Sequence, residues 1–233
     1  MNKKVLAVFL VLVLAVSGLF AKDLGIKVGG QLGWGFERTT AKGTPTPGSK
    51  YESYGWLKLG IKNNGFAFNA TGEYDFDQNW GVKANFGLMF AGKASFAEYS
   101  KKSSAGWGEE DDNSGLYIDF AVDAKYTYAI NDKISVAGLA GLELVSGYLA
   151  KENNSLDDDL KYKNLAFGLN CAVEGEYKIT DKISINGGVN VAWLFVNSAK
   201  FLKDTAEGLE KDGCKPSVYS FYIRPYIGAT YAL

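Results

Sequence analysis

Histidine is missing from all 233 residues of the chain. That absence excludes Ser-His and Cys-His nucleophilic catalysis, His-ligated zinc and the commonest general base. Proline is scarce at four, and methionine and cysteine stand at two each. Neither sign of charge dominates: 25 Lys and Arg against 26 Asp and Glu give a net charge of −1, which leaves no basic footprint for nucleic acid. Beyond Ala21 no stretch approaches the ~18 apolar residues that a membrane-spanning helix needs. A hydrophobic content of 47% is equally wrong for a disordered chain. Glycine, at 28, and aromatic residues, at 14%, are abundant.

The first 21 residues, MNKKVLAVFLVLVLAVSGLFA, carry a basic start at Lys3 and Lys4 and an apolar core from Val5 to Val16. Leu19-Phe20-Ala21 is read as the cleavage site. This is the layout of a secretory signal peptide. Its removal takes the net charge from −1 to −3 and leaves one domain, residues 22–233. Export permits a disulfide. However, Cys171 lies within an alternating segment and Cys214 in the polar run DGCKP, so two unpaired thiols are expected.

Three segments share one grammar: Tyr74 to Val82 (YDFDQNWGV), Tyr128 to Val136 (YAINDKISV) and Tyr177 to Ile185 (YKITDKISI). Each runs aromatic, any residue, apolar, polar turn-formers, then an apolar residue that restarts an alternation. Asn and Asp at the centre tolerate turn geometry and bond their own backbone, so each copy predicts a tight β-turn. The chain ends Tyr231-Ala232-Leu233, the first half of the same grammar, as expected of an up-and-down barrel closing on itself.

Around the turns, apolar residues recur with period 2. One example is Trp80, Val82, Ala84, Phe86, Leu88 and Phe90, with Gly81, Lys83, Asn85, Gly87 and Met89 between them. A dozen residues of such alternation is a strand with one apolar and one polar face. The segment from Ile134 is weaker, because Leu139 and Val145 intrude on its polar face. The count is eight strands, with three short turns and four long connections, near residues 38–54, 92–115, 147–161 and 197–216. Residues 55–65 leave room for an extra hairpin and ten strands, but a strand extension is the preferred reading. Pro225, inside the last strand, predicts a bulge.

The alternation does not say which face looks inward. A lipocalin-like soluble binder lines its pocket with the apolar face, and a membrane barrel turns that face to lipid. Aromatics gather at strand ends (Trp34, Tyr74, Trp80, Tyr128, Tyr177, Trp193, Tyr219 and Tyr231), as in interfacial girdles. Glycines crowd the polar face, where an eight-stranded interior is only just wide enough for side chains. No charge interrupts the middle of an apolar face. The predicted fold is therefore all-β: an eight-stranded antiparallel up-and-down transmembrane β-barrel preceded by a signal peptide.

The export signal, the Tyr-x-apolar strand endings and the Asp/Asn-centred turns resemble the small eight-stranded outer-membrane barrels of the OmpA, OmpX and OmpW class. The resemblance implies an outer-membrane location, lipid as the surrounding partner, and insertion by the barrel-assembly machinery. Such proteins usually end in an aromatic residue, whereas this chain ends in Leu233 with Tyr231 two before it.

The inward face is expected to carry a charge network of Glu73, Asp119, Asp123, Lys83, Lys125, Glu143, Glu174, Glu176 and Arg224. Arg224 is expected to be its hub, engaging two carboxylates among Glu73, Glu174 and Glu176. A closed, salt-bridged lumen is the preferred reading, and a narrow OmpW-like channel for small solutes is the alternative. No catalytic residue, metal site or cofactor is expected. The acidic runs 109–112 and 157–159 are read as solvated loop surface. The long loops are the expected contact surface for a host or surface ligand, and the chain is expected to act as a monomer.

Overall fold

The computed structural model describes residues 25–49, 52–54, 57–100, 111–151, 162–197, 207–208, 210–211 and 213–233. The signal-peptide segment, the acidic run 157–159 and Glu109-Glu110 lie outside them. Eight strands account for nearly all of the described chain: β1 (Ile26–Pro45), β2 (Leu57–Asp75), β3 (Trp80–Ser100), β4 (Asp111–Ala129), β5 (Ile134–Lys151), β6 (Tyr162–Lys178), β7 (Ile183–Asn197) and β8 (Cys214–Ala232). Each pairs antiparallel with the next, and β8 returns to β1, so the sheet closes into a barrel in chain order.

The repeated grammar is explained at the three short turns. In each, the fourth residue of the motif caps the turn with its side chain. Asp77 Oδ1 accepts the backbone N–H groups of Asn79 and Trp80 at 2.8 and 2.7 Å. Asn131 Oδ1 accepts those of Lys133 and Ile134 at 2.9 and 2.8 Å, and Thr180 Oγ1 those of Lys182 and Ile183 at 3.3 and 3.0 Å. A short side-chain acceptor is required there because the turn leaves two N–H groups without ladder partners.

Leu57–Asp75 is one strand, so the extension reading of residues 55–65 holds and the count stays at eight. The Asn63-Asn64-Gly65 triplet marks a register shift against β3 between Asn64 and Gly65, not a turn. The predicted bulge at Pro225 is absent. The β1–β8 register is the same on both sides of it, from Gly33 opposite Tyr226 to Phe36 opposite Ile223. What proline removes is its own N–H, and the ladder lacks the two pairs between those positions.

The strands also run further than the hydrophobic alternation suggests. β1 continues to Pro45, β3 to Ser100, β5 to Lys151, β4 begins at Asp111 and β8 at Cys214, all inside segments expected to be connections. The upper part of β1 buries Thr39, Thr40 and Ala41 in succession, so the ladder continues there by backbone bonding without period-2 hydrophobicity. Cys214, expected in a loop, is buried at the start of β8, and Cys171 is exposed on β6. Neither thiol is in a disulfide.

The apolar face points outward. Phe120, Val189, Leu142 and Ile227 are 49%, 41%, 49% and 71% exposed, while Lys83 and Asp123 are each 1% exposed. This removes the lipocalin-like alternative, in which those exposures would be reversed.

Candidate functional site

All nine predicted network residues lie inside the barrel, at 9% exposure or less. They come from β2 (Glu73), β3 (Lys83), β4 (Asp119, Asp123, Lys125), β5 (Glu143), β6 (Glu174, Glu176) and β8 (Arg224), so most of the wall contributes. The alternation that turns apolar side chains to the outside puts these on the inside.

The network divides into two groups. In the first, Lys83 Nζ donates to Glu174 Oε2 at 2.6 Å and pairs with Glu73 at 2.9 Å, while Lys125 Nζ donates to Glu73 Oε2 at 2.5 Å. Glu174 Oε2 also accepts from Tyr226 Oη at 2.8 Å and from Gln31 Nε2 at 3.2 Å. Nearer the rim, Lys27 pairs with Asp75 at 3.2 Å and lies 3.8 Å from Glu176.

In the second group Arg224 is a hub, but with a different partner from those expected. Its Nη1 and Nη2 grip Asp119 through both carboxylate oxygens at 2.9 and 3.1 Å, and Nη1 also donates to Asn69 Oδ1 at 2.8 Å. Its guanidinium carbon lies 5.0 Å from the centre of the Tyr222 ring. The correction has a geometric cause. Glu73 and Glu174 are already taken by Lys83 and Lys125, and the planar fork of Arg matches one carboxylate in bidentate fashion. Glu143 is completely buried, and neither of its carboxylate oxygens makes a hydrogen bond among the described residues.

A second, apolar level of the lumen was not anticipated. Met89, Tyr117, Val145, Leu194 and Tyr222 pack with Ala41, Ala67, Ala166 and Ala192 on the inside, towards the mouth with the long connections. Leu139, which weakened the β5 pattern, also lies inside, against Ala137 and Ala172. Residue parity gives each of these its direction. It does not reveal that they meet at one height, because that depends on the stagger between strands. Polar contacts tie this level to the strand walls: Asn63 Nδ2 donates to Tyr117 Oη at 2.7 Å, and Thr39 Oγ1 donates to Glu37 Oε1 at 3.2 Å.

Two small cavities are lined by described residues of the lumen. Gln31, Asn85, Asp123 and Asn190 are among the residues lining one cavity of about 10 Å³. Glu37, Met89, Tyr117 and Leu194 help to line another of the same size. Each is on the scale of a single water molecule. Glycines make the dense filling sterically feasible. Gly168 lies directly across from Glu143, and a side chain there would collide with the backbone carbonyl of Trp193.

On the outer surface the predicted girdle residues form two bands. Tyr74, Trp80, Tyr128, Tyr177 and Tyr231 stand exposed near the short turns. Trp34 and Trp193, both exposed, and the half-buried Tyr219 stand towards the other mouth. Trp80 packs edge-on against Tyr126 with ring centres 4.9 Å apart, and the Lys182 ammonium lies 5.6 Å from the centre of the Tyr231 ring. Amphipathic rings at both edges of an apolar wall match the two interfaces of a bilayer.

Comparison with known proteins places this geometry. No curated protein matches the chain. Among solved structures it is similar to Neisserial surface protein A, at 11% identity and TM-score 0.49, covering 90% of this chain and 97% of that one. It is also similar to OprG from Pseudomonas aeruginosa, at 11% identity and TM-score 0.48, covering 88% and 96%. A third similar structure is the outer membrane protease OmpT from Escherichia coli, at 10% identity and TM-score 0.46, covering 89% and 97%. The model of the outer membrane protein beta-barrel domain matches residues 6–214. Eight antiparallel strands in a closed ring and a match over most of its length show that the chain belongs to the outer-membrane protein β-barrel family, a family of the outer membrane.

Proposed function

We propose that this protein is a non-enzymatic outer-membrane barrel that does not conduct, exported by its N-terminal segment Met1–Ala21. Its closed wall serves to anchor and present the long connections at the cell surface. The observation that carries the reading is the filled lumen: ion-paired residues from Lys83 to Arg224 at one level, the Met89–Tyr117–Leu194 layer at the next, and cavities of only about 10 Å³. A hydrated ion cannot pass without breaking buried pairs, and leaving one partner of such a pair uncompensated costs about 3–5 kcal/mol. A non-catalytic role is supported by the lack of any histidine and by the burial of the inward carboxylates where no substrate reaches them. The connections around 38–54, 92–115, 147–161 and 197–216 are then the surface open to a ligand of the host or of a neighbouring cell.

Planar-bilayer recording of the refolded full chain tests this directly. Silence across the accessible voltage range is the expected result. Discrete, reproducible current steps would establish the narrow-channel reading in its place. Protease shaving of intact cells complements it, with cleavage expected in the long connections and none at the short turns.

A further inference from the structure

At the level of the ion-paired groups the lumen holds more acid than base among the described residues. Lys83 is held by Glu73 and Glu174, Lys125 by Glu73 and more distantly Asp75, and Arg224 by Asp119. Asp123 and Glu143, both buried, are left outside these pairs. Asp123 accepts one bond, from Asn85 Nδ2 to its Oδ2 at 3.2 Å. Its Oδ1 and both oxygens of Glu143 accept none. The strand register explains why these oxygens share one space. Asp123, Gly141 and Asn170 form one rung across β4, β5 and β6, and Ala121, Glu143 and Gly168 form the next. Gly141 has no side chain, and Asp123 Oδ1 leans into the volume that one would fill. That brings the oxygen over β5, beside Glu143 of that strand and towards Asn170 of β6. Asn170 is buried too, and its amide oxygen is unpartnered, as is that of the buried Asn190 on β7. Asp123 and Asn190 line the same water-sized cavity, whose two bases, Lys83 and Arg224, are already held by other carboxylates.

We propose that Asp123, Glu143 and the amide oxygen of Asn170, with Asn190 at the edge, hold a hard divalent cation of the calcium class inside the lumen. The atoms offered to it are oxygens, and two carboxylates match a charge of two. Among the described residues no three Asp, Glu, His or Cys side chains gather into a metal cluster. A site here therefore depends on the amides for its remaining protein ligands. Calcium accepts mixed shells of carboxylate, amide oxygen and water in flexible geometry, whereas magnesium demands a near-ideal octahedron. Two like charges buried side by side disfavour each other, and a cation between them turns that repulsion into cohesion. The metal then joins β4, β5 and β6 at a level where no base does so.

Refolding of the full chain into neutral phosphatidylcholine vesicles, with calcium chloride or with EDTA at matched ionic strength, tests the proposal. The site is enclosed, so the metal is supplied before the barrel closes. After free ions are removed, the wild type is expected to retain about one calcium per chain by atomic emission, and to bind magnesium more weakly. Calcium held only by the folded barrel is also expected to raise the urea midpoint as its concentration rises. Glu143→Gln keeps the shape and removes one charge. It is expected to bind calcium about tenfold or more weakly and to lose the midpoint shift, since affinity follows ligand charge. Should that variant fail to fold, Asp123→Asn is expected to behave in the same way. Asp157→Asn, Asp158→Asn and Asp159→Asn together, in the connection between β5 and β6, are expected to leave retention unchanged. Equal calcium in wild type and Glu143→Gln, or its loss in the 157–159 variant, overturns the proposal. So does a wild type that retains no calcium and has the same urea midpoint in EDTA, which would leave protons to neutralise the two acids. The read-out is bound metal, so this result and the conductance result stand apart.

Discussion

Gly87 and Asp119 face each other across the β3–β4 ladder, and the Asp119 carboxylate occupies the volume that a side chain at position 87 would need. The same carboxylate holds Arg224 through both oxygens. The glycine therefore sets where the acid can stand, and the acid sets where the guanidinium can stand. Gly141 opposite Asp123 repeats the relationship elsewhere in the lumen, with the Val122 backbone carbonyl and the Asp123 carboxylate in the space a side chain would need.

Gly87→Ala is expected to displace Asp119 and cost about 1–3 kcal/mol, the usual range for overpacking. Gly72→Ala, where a methyl group meets open space, is expected to change stability little. Equilibrium unfolding in urea, with the barrel refolded in lipid vesicles, measures both.

Removing one partner of the buried pair is expected to cost more than removing both. Arg224→Met strands Asp119 inside the barrel and is expected to cost about 3–5 kcal/mol, and Arg224→Lys recovers only part because an ammonium lacks the fork. Combining Arg224→Met with Asp119→Leu is expected to regain most of the loss. A double-mutant cycle on unfolding free energies checks this, and additive effects would mean that the two residues are not coupled.

Depth on the outer face is expected to grade the cost of a charge. Phe120→Arg, in mid-strand on β4, is expected to cost about 2–4 kcal/mol, and Tyr128→Arg, beside the short turn, about 0–1 kcal/mol. Similar costs at both positions, by the same unfolding measurement, would contradict a lipid-facing wall.

The first turn carries a pH dependence of known sign. The backbone N–H groups of Trp80 and Asn79 bond the Asp77 carboxylate and hold its pKa below the ordinary aspartate value. A depressed folded-state value means stability present above the unfolded-state pKa and lost as pH falls through the folded one. Asp77→Asn keeps an acceptor but removes the charge. Its urea midpoint is expected to lie below that of the wild type at neutral pH and to converge with it in acid.

Much of this architecture is legible in the residues. Strict alternation from Trp80 to Phe90 and from Leu165 to Ile179 marks strands, and parity alone sends Lys83, Glu174 and Arg224 to the same side. The turn motif announces where the chain reverses. Pairing inside the lumen is not legible, because it depends on stagger between non-adjacent strands. Arg224 meets Asp119 on β4 although β8 touches only β7 and β1. Nor is the upper extent of the strands, since Thr39 to Pro45 and Gly92 to Ser100 carry no hydrophobic rhythm and are held by backbone bonding. The Met89–Tyr117 layer falls between these cases: each member's direction can be read, but their meeting cannot.

The length of β3 has a consequence for how the molecule meets its surroundings. Its 21 residues, at about 3.4 Å each, give roughly 70 Å of strand, and a tilt of about 40° leaves about 50 Å of height. The hydrocarbon-facing band of such a barrel is only about 25 Å tall. A stiff turret therefore rises well clear of the bilayer. Soluble molecules encounter the upper strand ends before they reach the lipid.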